Sequence, residues 1–169
     1  MPENASNIEI ERKFLVSRRP DGELVKRQSI RQGYIAREAG NTVRIRQKND
    51  KYILSIKASK GANERYELEY AVSEADATLL FKLCTGPLIE KTREVYSFRG
   101  HLWEVDIFHG ANDGLIIAEV ELDSADEQFE KPSWLAREVS HDARFFNAYL
   151  FSHPFVGWGL SYQELLDGK

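Results

Sequence analysis

The stretch Ile8–Val16, reading Ile-Glu-Ile-Glu-Arg-Lys-Phe-Leu-Val, constrains this chain more than any other. Read as a β-strand, its side chains alternate between two faces. One face carries Glu9, Glu11, Lys13 and Leu15, and the other Ile8, Ile10, Arg12, Phe14 and Val16. The first sets carboxylates and an ammonium in a row about 7 Å apart, twice the rise per residue of a strand. The second is mostly apolar and needs cover. One strand of this kind is ordinarily a solvated charged stripe above a core. Here the pattern recurs along most of the chain, and a solvated stripe no longer accounts for it.

Val43–Lys48 sets Arg44, Arg46 and Lys48 against Val43 and Ile45. Asn49-Asp50 predicts a tight hairpin turn. Tyr52–Ala58 follows, with Ile53, Ser55 and Lys57 opposite Leu54 and Ile56. Like charges side by side on neighbouring strands repel unless an anion lies between them, and guanidinium groups match phosphate oxygens in geometry. An anion site and a solvated face both fit this hairpin taken alone. Glu64–Val72 alternates Arg65, Glu67 and Glu69 with Tyr66, Leu68 and Tyr70. Leu88–Phe98 carries Lys91 and Arg93 on one side, and Leu102–Phe108 sets Glu104 and Asp106 against Trp103, Val105 and Ile107. Leu115–Asp123 repeats the motif, with Glu119 and Glu121 opposite Ile116, Ala118, Val120 and Leu122. Ser29–Ala36 is strand-like, but its alternation is imperfect and the register of Gln32 and Tyr34 stays open.

The remaining segments read as connections and scaffold. Ser17–Lys26, with Pro20-Asp21-Gly22, reads as a loop or a short helical excursion. Ser73 and Asp76 form a carboxylate version of the capping box, opening a helix that Gly86-Pro87 stops. Beyond Ser124 the texture turns aromatic: Glu138–Ser140 reads as a short extended piece, Asp142–Phe151 as a helix, and Phe155–Lys169 as a short amphipathic helix that docks on the fold or plugs one end.

About eight antiparallel strands can close into a barrel just wide enough to fill or to hold one ligand. The helices and the aromatic tail need an apolar surface, and the outer wall of such a barrel supplies one. The expectation is therefore an α+β, mainly β chain: one domain over 1–169, an eight-stranded antiparallel closed barrel, helices outside, charged faces lining the lumen. Burying many charges is costly unless they are paired or meet a charged ligand. Carboxylates beside arginines and lysines suggest a metal ion and a polyanion bound together, and oxygen-only donors favour Mg²⁺ or Mn²⁺.

Composition narrows the classes further. The net charge of −4 on 169 residues gives no bulk attraction for nucleic acid. No apolar run approaches the roughly 20 residues of a membrane span, and Met1–Asn7 is too polar for a signal peptide. Cys84 is the only cysteine, which excludes an internal disulfide and fits a reducing cytoplasm. The histidines at 101, 109, 141 and 153 lack zinc-ligand spacing.

Glu9-x-Glu11-x-Lys13, followed in order by Arg44-x-Arg46, Lys57, Glu67-x-Glu69, Lys91-x-Arg93, Glu104-x-Asp106 and Glu119-x-Glu121, resembles the CYTH superfamily of triphosphate tunnel metalloenzymes. The resemblance spans roughly Ile8 to Phe151. It implies a tunnel of eight antiparallel strands and metal-dependent hydrolysis of a triphosphate, with inorganic tripolyphosphate as the first choice of substrate. Glu9, Glu11, Glu119 and Glu121 would hold Mg²⁺ or Mn²⁺, while Arg44, Arg46, Lys57, Lys91 and Arg93 would grip phosphate oxygens. Lys13 and Tyr34 would give catalytic support, and Glu67, Glu69, Glu104 and Asp106 would orient the basic side chains or water. Thiamine or nucleoside triphosphatase, class IV adenylyl cyclase and a non-catalytic polyphosphate-binding module are the alternatives. Whether two copies pair as a homodimer stays open at this stage.

Overall fold

The computed structural model describes residues 10–59 and 65–169, so the Glu9 expectation lies outside the described residues. The strands are β1 (Ile10–Val16), β2 (Glu23–Glu38), β3 (Asn41–Lys48), β4 (Lys51–Ser59), β5 (Arg65–Val72), β6 (Ile89–Phe98), β7 (His101–His109), β8 (Ile116–Leu122) and β9 (Leu135–Glu138). The helices are α1 (Glu74–Lys82), α2 (Asn147–Ser152) and α3 (Tyr162–Leu166). Tight two-residue turns at Ala39-Gly40 and Arg99-Gly100 have positive φ at both positions, the mirror-image geometry that suits the twist of a hairpin.

All nine strands form one antiparallel sheet in the order β5-β4-β3-β2-β6-β7-β8-β1-β9. The expected eight-stranded closed barrel is not what forms. The edge of β1 that a barrel would offer to β5 is taken by β9, which pairs Phe14 with Glu138 and Val16 with Leu135 across a register shift. Val139 N–H then donates to the Lys13 carbonyl at 2.8 Å. The sheet stays open, with β5 and β9 as its edges. Lys48 on β3 and Glu104 on β7, three strands apart in the sheet, are nevertheless within electrostatic reach of each other.

The strand boundaries explain where the alternation failed. β2 begins at Glu23, inside the segment expected to be a loop or a short helical excursion, and its register slips between Leu24 and Lys26. A second slip against β3, between Tyr34 and Ala36, breaks the period-2 pattern of Ser29–Ala36. Gly33 sits within this stretch for lack of room: a Cβ there would stand 2.5 Å from Leu88 and 2.6 Å from Cys84.

Two cores lie on opposite faces. On the outer face Phe14, Val16, Tyr96, Trp103, Val105, Ala118, Val120 and Leu122 pack with Trp134. α1 also covers the outside, on β2, β3 and β4, with Phe81 under the Arg31 guanidinium at 4.6 Å. The C-terminal helices depart from the expectation that helices lie outside. Phe145, Leu150, Phe155 and Leu165 pack with Leu15, Tyr34, Ile89, Phe108 and Ile117, which share the face of the charged residues. That face turns apolar at one end, and the C-terminal segment covers that end.

Candidate active site

The pairing registers place ionisable residues of the eight strands β1 to β8 on one face. Glu11 lies opposite Glu121, Lys13 opposite Glu119, and Glu119 opposite Glu104. Asp106 faces Arg93, and Gln28 faces Arg93 from the other side. Across β2, Gln32 lies beside Arg46 and Tyr34 beside Arg44. Arg44 is next to Ser55, then Ser55 to Glu69, with Lys57 opposite Glu67.

The face divides into paired and unpaired charge. On the β1–β8–β7 side, the Lys13 ammonium lies 2.8 Å from Glu11 and 2.6 Å from Glu119. Burial works against the charge of Lys13, but Glu119 and Glu11 outweigh it and raise its pKa. The Lys13 backbone is held as well, its N–H donating to Ser140 Oγ at 2.9 Å. Glu121 makes no ion pair among the described residues.

In the middle, Asp106 is fully buried. It accepts from Lys91 Nζ at 2.5 Å and from Arg93 Nε and NH2 at 2.7 and 2.8 Å. Burial alone would raise the Asp106 pKa, yet Lys91 and Arg93 hold it well below the usual carboxylate range. Arg93 also pairs with Glu104 and lies 3.5 Å from Glu119. Burial pushes the Lys91 pKa down despite Asp106.

The β3 side is different. Arg44, Arg46 and Lys48 have no carboxylate within ion-pair distance among the described residues. Among the described residues Arg44 NH2 reaches only Ser55 Oγ, at 3.4 Å, and its buried Nε has no partner. Ser55 in turn donates to Glu69 at 3.0 Å. Arg46 Nε donates to Gln32 Oε1 at 3.0 Å. Burial first, then the neighbouring Arg44 and Arg93, lower the Arg46 pKa to about 10. Lys57 lies at the rim, 3.3 Å from Glu67.

Tyr34 stands between these groups and the C-terminal core. Its ring meets Phe151 edge-on at 5.0 Å, and the Arg37 guanidinium lies 5.1 Å from its centroid. Among the described residues it shares no hydrogen bond with Lys13, whose ammonium is held by Glu11 and Glu119. Sequence reasoning missed Gln28 and Gln32, both buried on this face. Their parity with the charged residues was the available signal, and the slips in β2 concealed it. No three acidic, histidine or cysteine side chains form a preformed metal cage among the described residues.

A CYTH domain model matches residues 7–146. The chain belongs to the CYTH domain family. Within the family it is 43% identical over 148 residues to an inorganic triphosphatase of Acetivibrio thermocellus, covering 87% of this chain and 95% of that protein. An inorganic triphosphatase of Nitrosomonas europaea is 38% identical over 148 residues, covering 84% and 95%. The crystal structure of the inorganic triphosphatase NE1496 superimposes with a TM-score of 0.70 at 35% identity, over 85% of this CYTH chain and 93% of that one.

Proposed function

We propose that this CYTH protein is a metal-dependent triphosphatase that cleaves inorganic tripolyphosphate to pyrophosphate and phosphate on its charged face. The observation that carries the reading is the cation group Arg44, Arg46 and Lys48, without an ion pair among the described residues and set on the same sheet face as the carboxylates of β1, β7 and β8. Crowded guanidinium groups without carboxylates call for a polyanion. Carboxylates within the same face serve no simple anion binder, because they repel the ligand. Relatives named as inorganic triphosphatases, with most of the chain covered, support the same substrate.

The residues divide the work by charge. Arg44 and Arg46, with Lys57 at the rim and Lys91 and Arg93 on β6, bind non-bridging phosphate oxygens and the departing pyrophosphate. Phosphoryl transfer depends chiefly on this positioning and on charge stabilisation. Asp106 and Glu104 fix Arg93, Asp106 also fixes Lys91, and Glu67 and Glu69 steady Lys57 and Ser55. Lys13 and Tyr34 support the reacting end of the substrate. The Lys13 ammonium bridges Glu11 and Glu119, so these carboxylates already form a point where positive charge is stabilised. With Glu121, and with Glu9 outside the described residues, they would supply an oxygen-only donor set of the kind Mg²⁺ or Mn²⁺ takes. Such an ion, when bound, supplies neutralisation of phosphate charge. The single Cys84, free in the structure, suits a reducing cytoplasm as the compartment.

The test is phosphate release from tripolyphosphate, ATP and thiamine triphosphate, with and without Mg²⁺ or Mn²⁺, beside Glu11→Ala. Metal-dependent release, fastest from tripolyphosphate and lost in the variant, is the expected outcome. Conversion of ATP to a cyclic product without phosphate release from tripolyphosphate would overturn it.

A further inference from the structure

Gln32 is, with Gln28, one of the buried amides on this face to which the proposed function gives no role. It is fully buried on β2, between Arg46 on β3 and Ile89 on β6. Its Oε1 accepts from Arg46 Nε at 3.0 Å, while its Nε2, also buried, has no partner among the described residues. Two features make this arrangement unusual. Arg93 and Lys91, one strand beyond, are held by a carboxylate, Asp106; Arg46 is held by a neutral amide. A carboxylate in that place would fix the guanidinium equally well and cancel its charge. The amide fixes it and leaves the charge for something else. The terminal nitrogens of Arg46 make no hydrogen bond among the described residues.

The second feature is the idle donor. A buried amide N–H without an acceptor is destabilising, because its hydration is lost and nothing replaces it. Nε2 is bonded to the same carbon as the oxygen that touches Arg46, so the missing acceptor belongs beside the Arg46 guanidinium. An oxyanion seated on Arg46 supplies it.

We propose that Gln32 is a positioning residue for the polyphosphate: its Oε1 aims Arg46, and its Nε2 completes the same phosphate-oxygen site. The inference rests on the triphosphatase reading for its choice of ligand, but it concerns binding and not turnover. Gln32→Leu removes both the aim and the donor. Gln32→Glu keeps an acceptor for Arg46, removes the donors and adds negative charge.

The measurement is calorimetric binding of tripolyphosphate to the full chain without divalent metal, together with thermal unfolding of each variant in a phosphate-free buffer. Loss of one charge-assisted contact weakens binding by roughly 10- to 100-fold. Gln32→Leu is expected to weaken binding by that factor in a protein that still unfolds cooperatively, the gain from losing an idle buried donor being offset by the Arg46 Nε left without its acceptor. Gln32→Glu is expected to bind more weakly still, with Arg46 neutralised. A residue that merely fills space would show the reverse: unchanged affinity in a folded Gln32→Leu overturns the proposal. If the unsubstituted protein binds tripolyphosphate but does not hydrolyse it once Mg²⁺ or Mn²⁺ is added, the triphosphatase reading falls and the order of affinities still decides the role of Gln32. If it binds no tripolyphosphate without metal, the Gln32 proposal falls, and the triphosphatase reading is decided separately by phosphate release with Mg²⁺ or Mn²⁺.

Discussion

Asp106 shows how much a single side chain can carry. Its carboxylate accepts from two cations and has no contact with solvent. Removing one partner of a buried ion pair leaves the others uncompensated, at a cost of about 3–5 kcal/mol. Asp106→Asn should therefore be destabilised on that scale and should bind polyphosphate with badly placed Lys91 and Arg93. The pH dependence has a definite sign. Two neighbouring cations depress the folded-state pKa of Asp106, so its contribution is full above the unfolded-state value of about 4. It is lost as pH falls from there through the lower folded-state value. Denaturant midpoints between pH 5 and pH 2 should drop less steeply for Asp106→Asn; parallel curves would refute the assignment. The face of this residue was legible, because Glu104-x-Asp106 alternates with Trp103, Val105 and Ile107. Its partners were not: an alternating pattern says which face a side chain occupies and nothing of which cation it meets across the sheet.

At the scale of elements, the strands were the readable part. Clean alternation located β1, β3, β4, β5, β7 and β8 to within a residue or two, because each has one apolar face. The C-terminal segment was harder. Pro154, Gly157 and Gly159 divide the expected tail helix into a 3-10 turn and the five-residue α3. Such short helices are held by tertiary contacts and not by their own propensity, so periodicity is a poor guide to where they dock. Tyr162 shows what does hold α3. Its hydroxyl accepts from Val16 N–H at 2.8 Å, and its proton lies between the carbonyls of Ile116 at 2.8 Å and Val16 at 3.0 Å. One phenol thus ties the tail to the ends of β1 and β8. Tyr162→Phe leaves backbone groups without partners at a cost of about 1–3 kcal/mol. A lower chemical-denaturation midpoint with an unchanged m-value is the expected result; no change would mean that water replaces the hydroxyl.

For the whole molecule, the barrel expectation failed at a definite place. Strand counting found the members of the sheet but missed β9, four residues long and shifted from the predicted extended piece. That short strand occupies the edge on which closure depended. The consequence is an uneven molecule. β6, β7 and β8 lie mid-sheet among large buried side chains, whereas nearly every residue of β5 is exposed on a sheet edge. Local opening follows burial and edge position. Amide hydrogen exchange should be fast in β5 and slow in β7 and β8, and tripolyphosphate should slow exchange in β3, which carries Arg44 and Arg46. Uniform protection across the sheet would contradict this picture.

The unpaired arginines of β3 bear on how the protein will behave at the bench. Like charges held together in the free protein oppose folding, and an anion that binds only the folded form reverses this, by about 2.7 kcal/mol at a hundred times its Kd. Phosphate and sulfate in ordinary buffers are anions of the same kind. A melting temperature for this molecule is thus a joint property of the chain and its buffer, and values taken in phosphate and in a zwitterionic buffer are two different quantities.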